Sequence, residues 1–250
     1  MVATIQVNKQ SIKQLLESGK DQMFLIPEYQ RPYSWTENET KTLFYDLLEF
    51  TENEAKRANE IEGTYFLGSI VSYENEDGEQ EIIDGQQRIT SLFLLLRAIY
   101  TKLTSYENKT IEQENFIRQI EPALWKQAKL TGEVDYTSVL ITSRVIDNEG
   151  NKILQNILES GIANPKATDN YSKNYILFQK LFEKLCELSP TLMLEFIYYT
   201  LNRAVVFPIK TDSQDDALSV FSTLNDRGLP LSEADIFKAK MYNRIKKEYK

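Results

Sequence analysis

The stretch Ile82-Ile83-Asp84-Gly85-Gln86-Gln87-Arg88-Ile89-Thr90-Ser91-Leu92 decides how this chain is read. Its apolar start, with Glu81, has the pattern of a strand that ends on Asp84. Gly85 turns the backbone, and a helix then carries Leu92, Phe93, Leu94, Leu95 and Leu96. A glycine between a strand and a helix lets backbone N–H groups approach an anion, and the helix dipole favours negative charge there. Arg88 adds a planar fork of donors suited to phosphate. Gln86 and Gln87 are uncharged and can hold a water or a ribose without repelling phosphates. The plainer alternative is a strand-to-helix turn with solvated polar residues. Five polar or glycine residues in a row between two apolar segments favour a site.

Working outward, the elements alternate between both classes. Asn8 to Gly19 reads as a short helix closed by Gly19, and Met23–Ile26 as a strand. The loop Pro27-Glu28-Tyr29-Gln30-Arg31-Pro32-Tyr33-Ser34-Trp35 follows, fixed by two prolines. Thr36 and Glu39 have capping-box spacing ahead of a helix with Leu43, Phe44, Leu47 and Leu48 on its apolar face. Tyr65–Tyr73 and Glu81–Asp84 form a hairpin around Asn75-Glu76-Asp77-Gly78. A helix from about Gln87 to Leu103 completes an α+β unit of about a hundred residues. Beyond it, segments 111–129, 152–160, 172–188 and 191–203 have helical spacing. Thr137–Ile146 and Ala204–Ile209 are strand candidates, and Asp215–Leu224 is a helix. Ser232 with Asp235 caps a last helix that stops in basic residues, as expected for the front part of a longer protein. The expected organisation is an α+β domain with a small mixed sheet over 1–105, then a mainly helical domain over 106–250.

Composition removes several chemistries. The chain has 250 residues, 42% hydrophobic, and a net charge of −8. An acidic domain is a poor non-specific duplex binder, because that affinity rests on phosphate neutralisation. Charge is uneven, however: Lys238, Lys240, Arg244, Lys246, Lys247 and Lys250 cluster near the end. Such a run is either a solvated helix face or a phosphate-facing strip. With no histidine, the chain contains no Ser-His-Asp triad, Cys-His pair or histidine-ligated zinc. Cys186 is the single cysteine, which forbids an intrachain disulfide and fits a reducing cytoplasm. No apolar run is long enough to cross a membrane.

Four stretches stand in a fixed order: Ile26–Trp35, Phe66-Leu67-Gly68-Ser69-Ile70-Val71, Ile83–Leu92, and Phe221-Ser222-Thr223-Leu224-Asn225-Asp226-Arg227-Gly228 with Asp235-Ile236-Phe237-Lys238. This set resembles the N-terminal domain of GmrSD-type restriction endonucleases, a bacterial family marked by Asp-Gly-Gln-Gln-Arg. The resemblance implies a ParB/sulfiredoxin-like fold whose strand–Gly–helix turn binds nucleotide phosphates. It also implies a place in phage defence, often against modified DNA. Many relatives carry a C-terminal HNH nuclease domain. Without histidine that centre cannot lie in these residues, so a nuclease effector would lie in a C-terminal part or a separate chain.

The expected activity is therefore binding, and Mg²⁺-dependent hydrolysis, of a nucleoside triphosphate in a regulatory domain. The alternatives are a DNA-sensing module without turnover and a ParB-like nuclease. Asp84, Gln86, Gln87 and Arg88 are the candidate catalytic residues. Asp84 either holds Mg²⁺ or orients water, or simply accepts N–H groups of the turn. Gln30, Arg31, Gly85, Arg88, Thr90 and Ser91 are the candidate nucleotide contacts, the two hydroxyls being equally suited to helix capping. Tyr33 and Trp35 offer aromatic faces to a base, although large aromatics beside a helix start are usually core anchors. Asn225, Arg227 and Lys238 are expected to close the pocket or contact DNA.

Overall fold

The computed structural model describes residues 6–57, 63–145 and 149–225. In chain order these form β1 (Gln6–Val7), β2 (Gln10–Ser11), α1 (Ile12–Glu17), a 3-10 turn (Ser18–Lys20), β3 (Phe24–Ile26), α2 (Glu37–Ala55), β4 (Tyr65–Glu74), β5 (Gln80–Asp84) and α3 (Gln86–Thr104). There follow α4 (Ile111–Leu124), β6 (Trp125–Gln127), β7 (Val134–Val139), β8 (Ile141–Ser143), α5 (Gly150–Ser160), α6 (Asn170–Leu188), α7 (Pro190–Asn202), β9 (Ala204–Thr211) and α8 (Gln214–Asn225). Arg227, Lys238 and the Ser232–Asp235 cap lie outside the described residues, as does the side chain of Asn225.

Local chemistry sets the ends of these elements. Thr36 and Glu39 close a reciprocal capping box on α2, as their spacing predicts. Ser11 with Gln14 and Thr110 with Gln113 do the same for α1 and α4. Asn75 Oδ1 accepts from the N–H groups of Asp77 and Glu79, which fixes the turn between β4 and β5.

The fold is mixed α+β. Among the described residues, seven strands form one sheet in the order β1-β9-β4-β5-β3-β8, with β2 also pairing with β9. β4 pairs antiparallel with β5 and parallel with β9, and β3 runs parallel to both β5 and β8. The sheet draws strands from both sides of residue 105, since β8 and β9 come from the later, helix-rich half. The helix expected over 111–129 ends at Leu124, and Trp125–Gln127 pairs with β7 instead.

Alternation along the strands splits the core in two. Ile70, Ile82 and Val206 join the main cluster with α1 to α7, whereas Val71, Tyr73, Ile83 and Ile209 face the other way. That second face is covered by Ala217, Leu218 and Phe221 of α8. Leu92 through Leu96 are all fully buried, so this segment of α3 is apolar all round and runs through the middle of the main core. The N-terminal turn of α3 lies at the ends of β5 and β3, and further along the helix the buried Arg97 donates to the carbonyls of Leu158 and Glu159.

Candidate functional site

Gly85 is the residue on which the turn depends. It caps α3 in the left-handed region (φ 88°, ψ 7°) and supplies no side-chain acceptor to the first-turn N–H groups. A Cβ there would stand 2.9 Å from Ile70 Cγ1 and 3.3 Å from the Ser69 carbonyl oxygen. Sterics and backbone conformation thus both require glycine. Asp84, just before it, is half-buried, and this burial raises its pKa. A hydrogen bond from the Gly85 N–H and the charges of Arg88 and Arg31 act in the opposite direction. Asp84 therefore lies in the field of two guanidinium groups.

Arg88 is held from behind. Between Phe66 and Ser69 the register of β4 with β9 is irregular, and Gly68 sits at φ 106°. The guanidinium lies over this glycine and donates from Nη1 to the Ser69 carbonyl oxygen at 2.8 Å. A Cβ on Gly68 would approach both Nη atoms to 3.0 Å. Burial lowers the Arg88 pKa, and the Asp84 charge counters it. The guanidinium lines a cleft of about 310 Å³ between α2 and the start of β4.

The Gln30–Trp35 loop is fastened to α3 by the Gln87 carboxamide and by the Tyr33–Ser91 hydroxyl pair. Gln87 Oε1 accepts from the N–H groups of Ser34 (2.7 Å) and Trp35 (3.3 Å), and Gln87 Nε2 donates to the Pro32 carbonyl at 3.2 Å. Gln30 Nε2 donates to the Ile83 carbonyl at 2.9 Å and ties the loop to β5. Arg31, between these anchors, is exposed. With Gln86 and Thr90 it lines a narrow crevice. Gln86 Oε1 and Thr90 Oγ1 in that crevice are buried without a hydrogen-bond partner among the described residues.

Three residues expected at the site are turned inward instead. Ser91 is fully buried, donates to the Gln87 carbonyl and lies 2.6 Å from the Tyr33 hydroxyl. Tyr33 is only 7% exposed, stacks on Tyr171 at 4.8 Å and accepts from Asn174 Nδ2 at 3.0 Å. The Gln87 carboxamide is committed to the loop. Helical geometry explains this division. Gln86 and Thr90 share one side of the first turns, Gln87 and Ser91 the next, and Arg88 a third. Trp35 keeps a face on the Arg88 cleft, while its carbonyl accepts from Asn174 at 2.7 Å. Gly68, Ser69, Tyr171 and Asn174 had no role in the sequence reading. Only the Phe66–Val71 motif pointed at two of them.

The turn, the loop and the β4 irregularity all fall inside residues 12–242, which match the GmrSD restriction endonuclease N-terminal domain. The chain belongs to that family. An uncharacterized protein of Methanocaldococcus jannaschii is 25% identical to this chain over 242 residues, covering 88% of this chain and 39% of its own length. The chain therefore spans about two fifths of the curated relative that it matches (39%). Among the described residues of this GmrSD domain, no helix is long and apolar enough to cross a membrane. None of them form a cluster of three His, Cys, Asp or Glu side chains able to hold a metal alone.

Proposed function

We propose that this GmrSD domain binds a nucleoside triphosphate with Mg²⁺ at the turn before α3, hydrolyses it, and thereby regulates a nuclease effector in a phage-defence restriction system. The observation that carries this reading is the N-terminus of α3 without a side-chain cap, with Asp84 just before it, Arg88 lining the cleft on one side and Arg31 the crevice on another. Polyphosphate is the ligand such a grouping suits: two cations, free first-turn N–H groups and the positive end of a helix dipole. Arg88 stabilises charge on the transferring phosphoryl group, and Arg31 neutralises the outer phosphates. Asp84 fits a cation that takes one or two carboxylates and completes its shell with phosphates and waters, as Mg²⁺ does. The buried Gln86 Oε1 and Thr90 Oγ1 supply hydrogen-bonding capacity beside the turn.

The ParB/sulfiredoxin-like assignment belongs to this proposal and rests on the strand–Gly–helix turn. A DNA sensor that stacks bases on the loop is less well supported, because Tyr33 is already stacked and buried. A nuclease centre in this domain is likewise unsupported by any acidic cluster among the described residues. The test is phosphate release from each of the four common triphosphates with Mg²⁺, for the native chain and for Arg88→Ala. Turnover that the substitution abolishes supports the reading, and turnover indifferent to it refutes the assignment of Arg88.

A further inference from the structure

We propose that the cleft between α2 and β4 is a nucleobase pocket selective for guanine, read by the carboxylate of Asp46. This rests on the proposed nucleotide function and adds the base to it. The cleft has the volume of a small-ligand pocket, about 310 Å³, at the lower end of the usual range of roughly 300–1,000 Å³. Trp35 and Phe66 give it aromatic surface, and Phe66 is 53% exposed. Stacking on such faces is available to any base.

The cleft is lined by one cation, Arg88, and two carboxylates, Glu39 and Asp46; Glu39 Oε2 is taken up by the α2 cap, where it accepts from the Thr36 N–H and hydroxyl at 2.7 Å. Arg88 sits at the end beside Gly68 and Ser69, and Asp46 sits at the other end, where it accepts from the Tyr65 hydroxyl at 2.9 Å. From Gly68 back to Tyr65 the strand covers roughly 10 Å at about 3.3 Å per residue. Along the strand edge, cation and carboxylate are therefore separated by about the length of a nucleoside. A phosphate at the Asp46 end would be repelled, whereas ring N–H groups there would be bound.

The Tyr65 hydroxyl occupies one lone pair of Asp46 Oδ2 and orients the carboxylate. Both oxygens keep acceptor capacity. Two acceptors on one planar group match two adjacent N–H donors, which guanine presents at N1 and N2. Uracil has one ring N–H flanked by two carbonyls, which would face the carboxylate. Adenine presents a ring acceptor beside its amino group.

The experiment is equilibrium binding of GTP, ITP, ATP, UTP and XTP, each with Mg²⁺, to the native chain, Asp46→Asn and Arg88→Ala. GTP is expected to bind about tenfold or more tightly than ITP, which lacks the N2 amino group. Asp46→Asn is expected to lose the GTP preference and to gain affinity for XTP, whose C2 carbonyl accepts from the new carboxamide. That gain separates a lost contact from a damaged fold. Equal affinities for GTP, ITP and ATP, with binding still lost in Arg88→Ala, would overturn the base pocket and leave the phosphate site standing. No binding of any triphosphate would overturn both.

Discussion

The guanidinium of Arg88, on α3, lies directly over Gly68 of β4, at φ 106°, and donates to the carbonyl of Ser69. The two residues form one unit: the glycine leaves room, and the next carbonyl fixes the arginine. Gly68→Ala would put a Cβ against both Nη atoms and force a side chain into the left-handed region. It is expected to destabilise the fold by about 1–3 kcal/mol and to weaken triphosphate binding by displacing Arg88. Urea unfolding and nucleotide titration of the variant measure both. Unchanged affinity would show that the position of Arg88 is unimportant.

Gln87 is the clamp for the loop that carries Arg31. Gln87→Ala removes the acceptor for two backbone N–H groups and the donor to Pro32. A loss of about 1–3 kcal/mol is expected from the unsatisfied groups. Amide exchange at Ser34 and Trp35 should accelerate beyond the change in global stability. Native-like exchange at those two amides would contradict the clamp.

Burial works against the charged form of Asp84. Its pKa is raised, chiefly by burial, so the folded state keeps the proton after the unfolded chain has lost it, and this stabilisation, complete below the unfolded pKa, is lost as pH rises through the folded one. Above that window the carboxylate is desolvated at a cost to the fold, and Asp84→Asn is expected to raise the melting temperature. The same variant should lose Mg²⁺-dependent hydrolysis. A lower melting temperature would mean that attraction to Arg31 and Arg88 outweighs desolvation.

Tyr33 gives an alkaline limit. Burial pushes its pKa up to about 12, with hydrogen bonds to Ser91 and Asn174 acting in the opposite direction. The folded state keeps this proton after the unfolded chain has lost it. Its contribution is therefore complete below about pH 10 and is lost as pH rises from there towards about 12. Tyr65, raised to about 12 chiefly by burial, adds to the same window. Tyr33→Phe should show a shallower loss of stability between about pH 9 and pH 11 than the native chain. An equal loss would remove Tyr33 from the account.

Local signals in the sequence were legible where the cause is local. The Thr36–Glu39 box, the Asn75–Gly78 turn and the glycine before α3 each depend on residues close in the chain. What was hidden depends on distant contacts. Ala204–Ile209 has the composition of a strand, but nothing in it states that β9 lies between β1 and β4. Trp125–Gln127 continues a helical pattern and is taken into a strand by pairing with β7. At the site, residue types identified a polar turn without saying which way each side chain faces. The roughly 100° step of the helix sends Gln86, Gln87 and Arg88 to three destinations, and only partners such as Ser34 and Ser69 reveal them.

The central claim is most directly tested by thermal denaturation of the native chain, Arg31→Ala and Arg88→Ala with increasing Mg²⁺–triphosphate. A ligand that binds only the folded state adds about 2.7 kcal/mol at a hundred times its dissociation constant. The account predicts a concentration-dependent rise in melting temperature for the native chain, a smaller rise for Arg31→Ala and none for Arg88→Ala. A native chain whose melting temperature ignores every triphosphate, or an Arg88→Ala variant that responds as the native chain does, would contradict it.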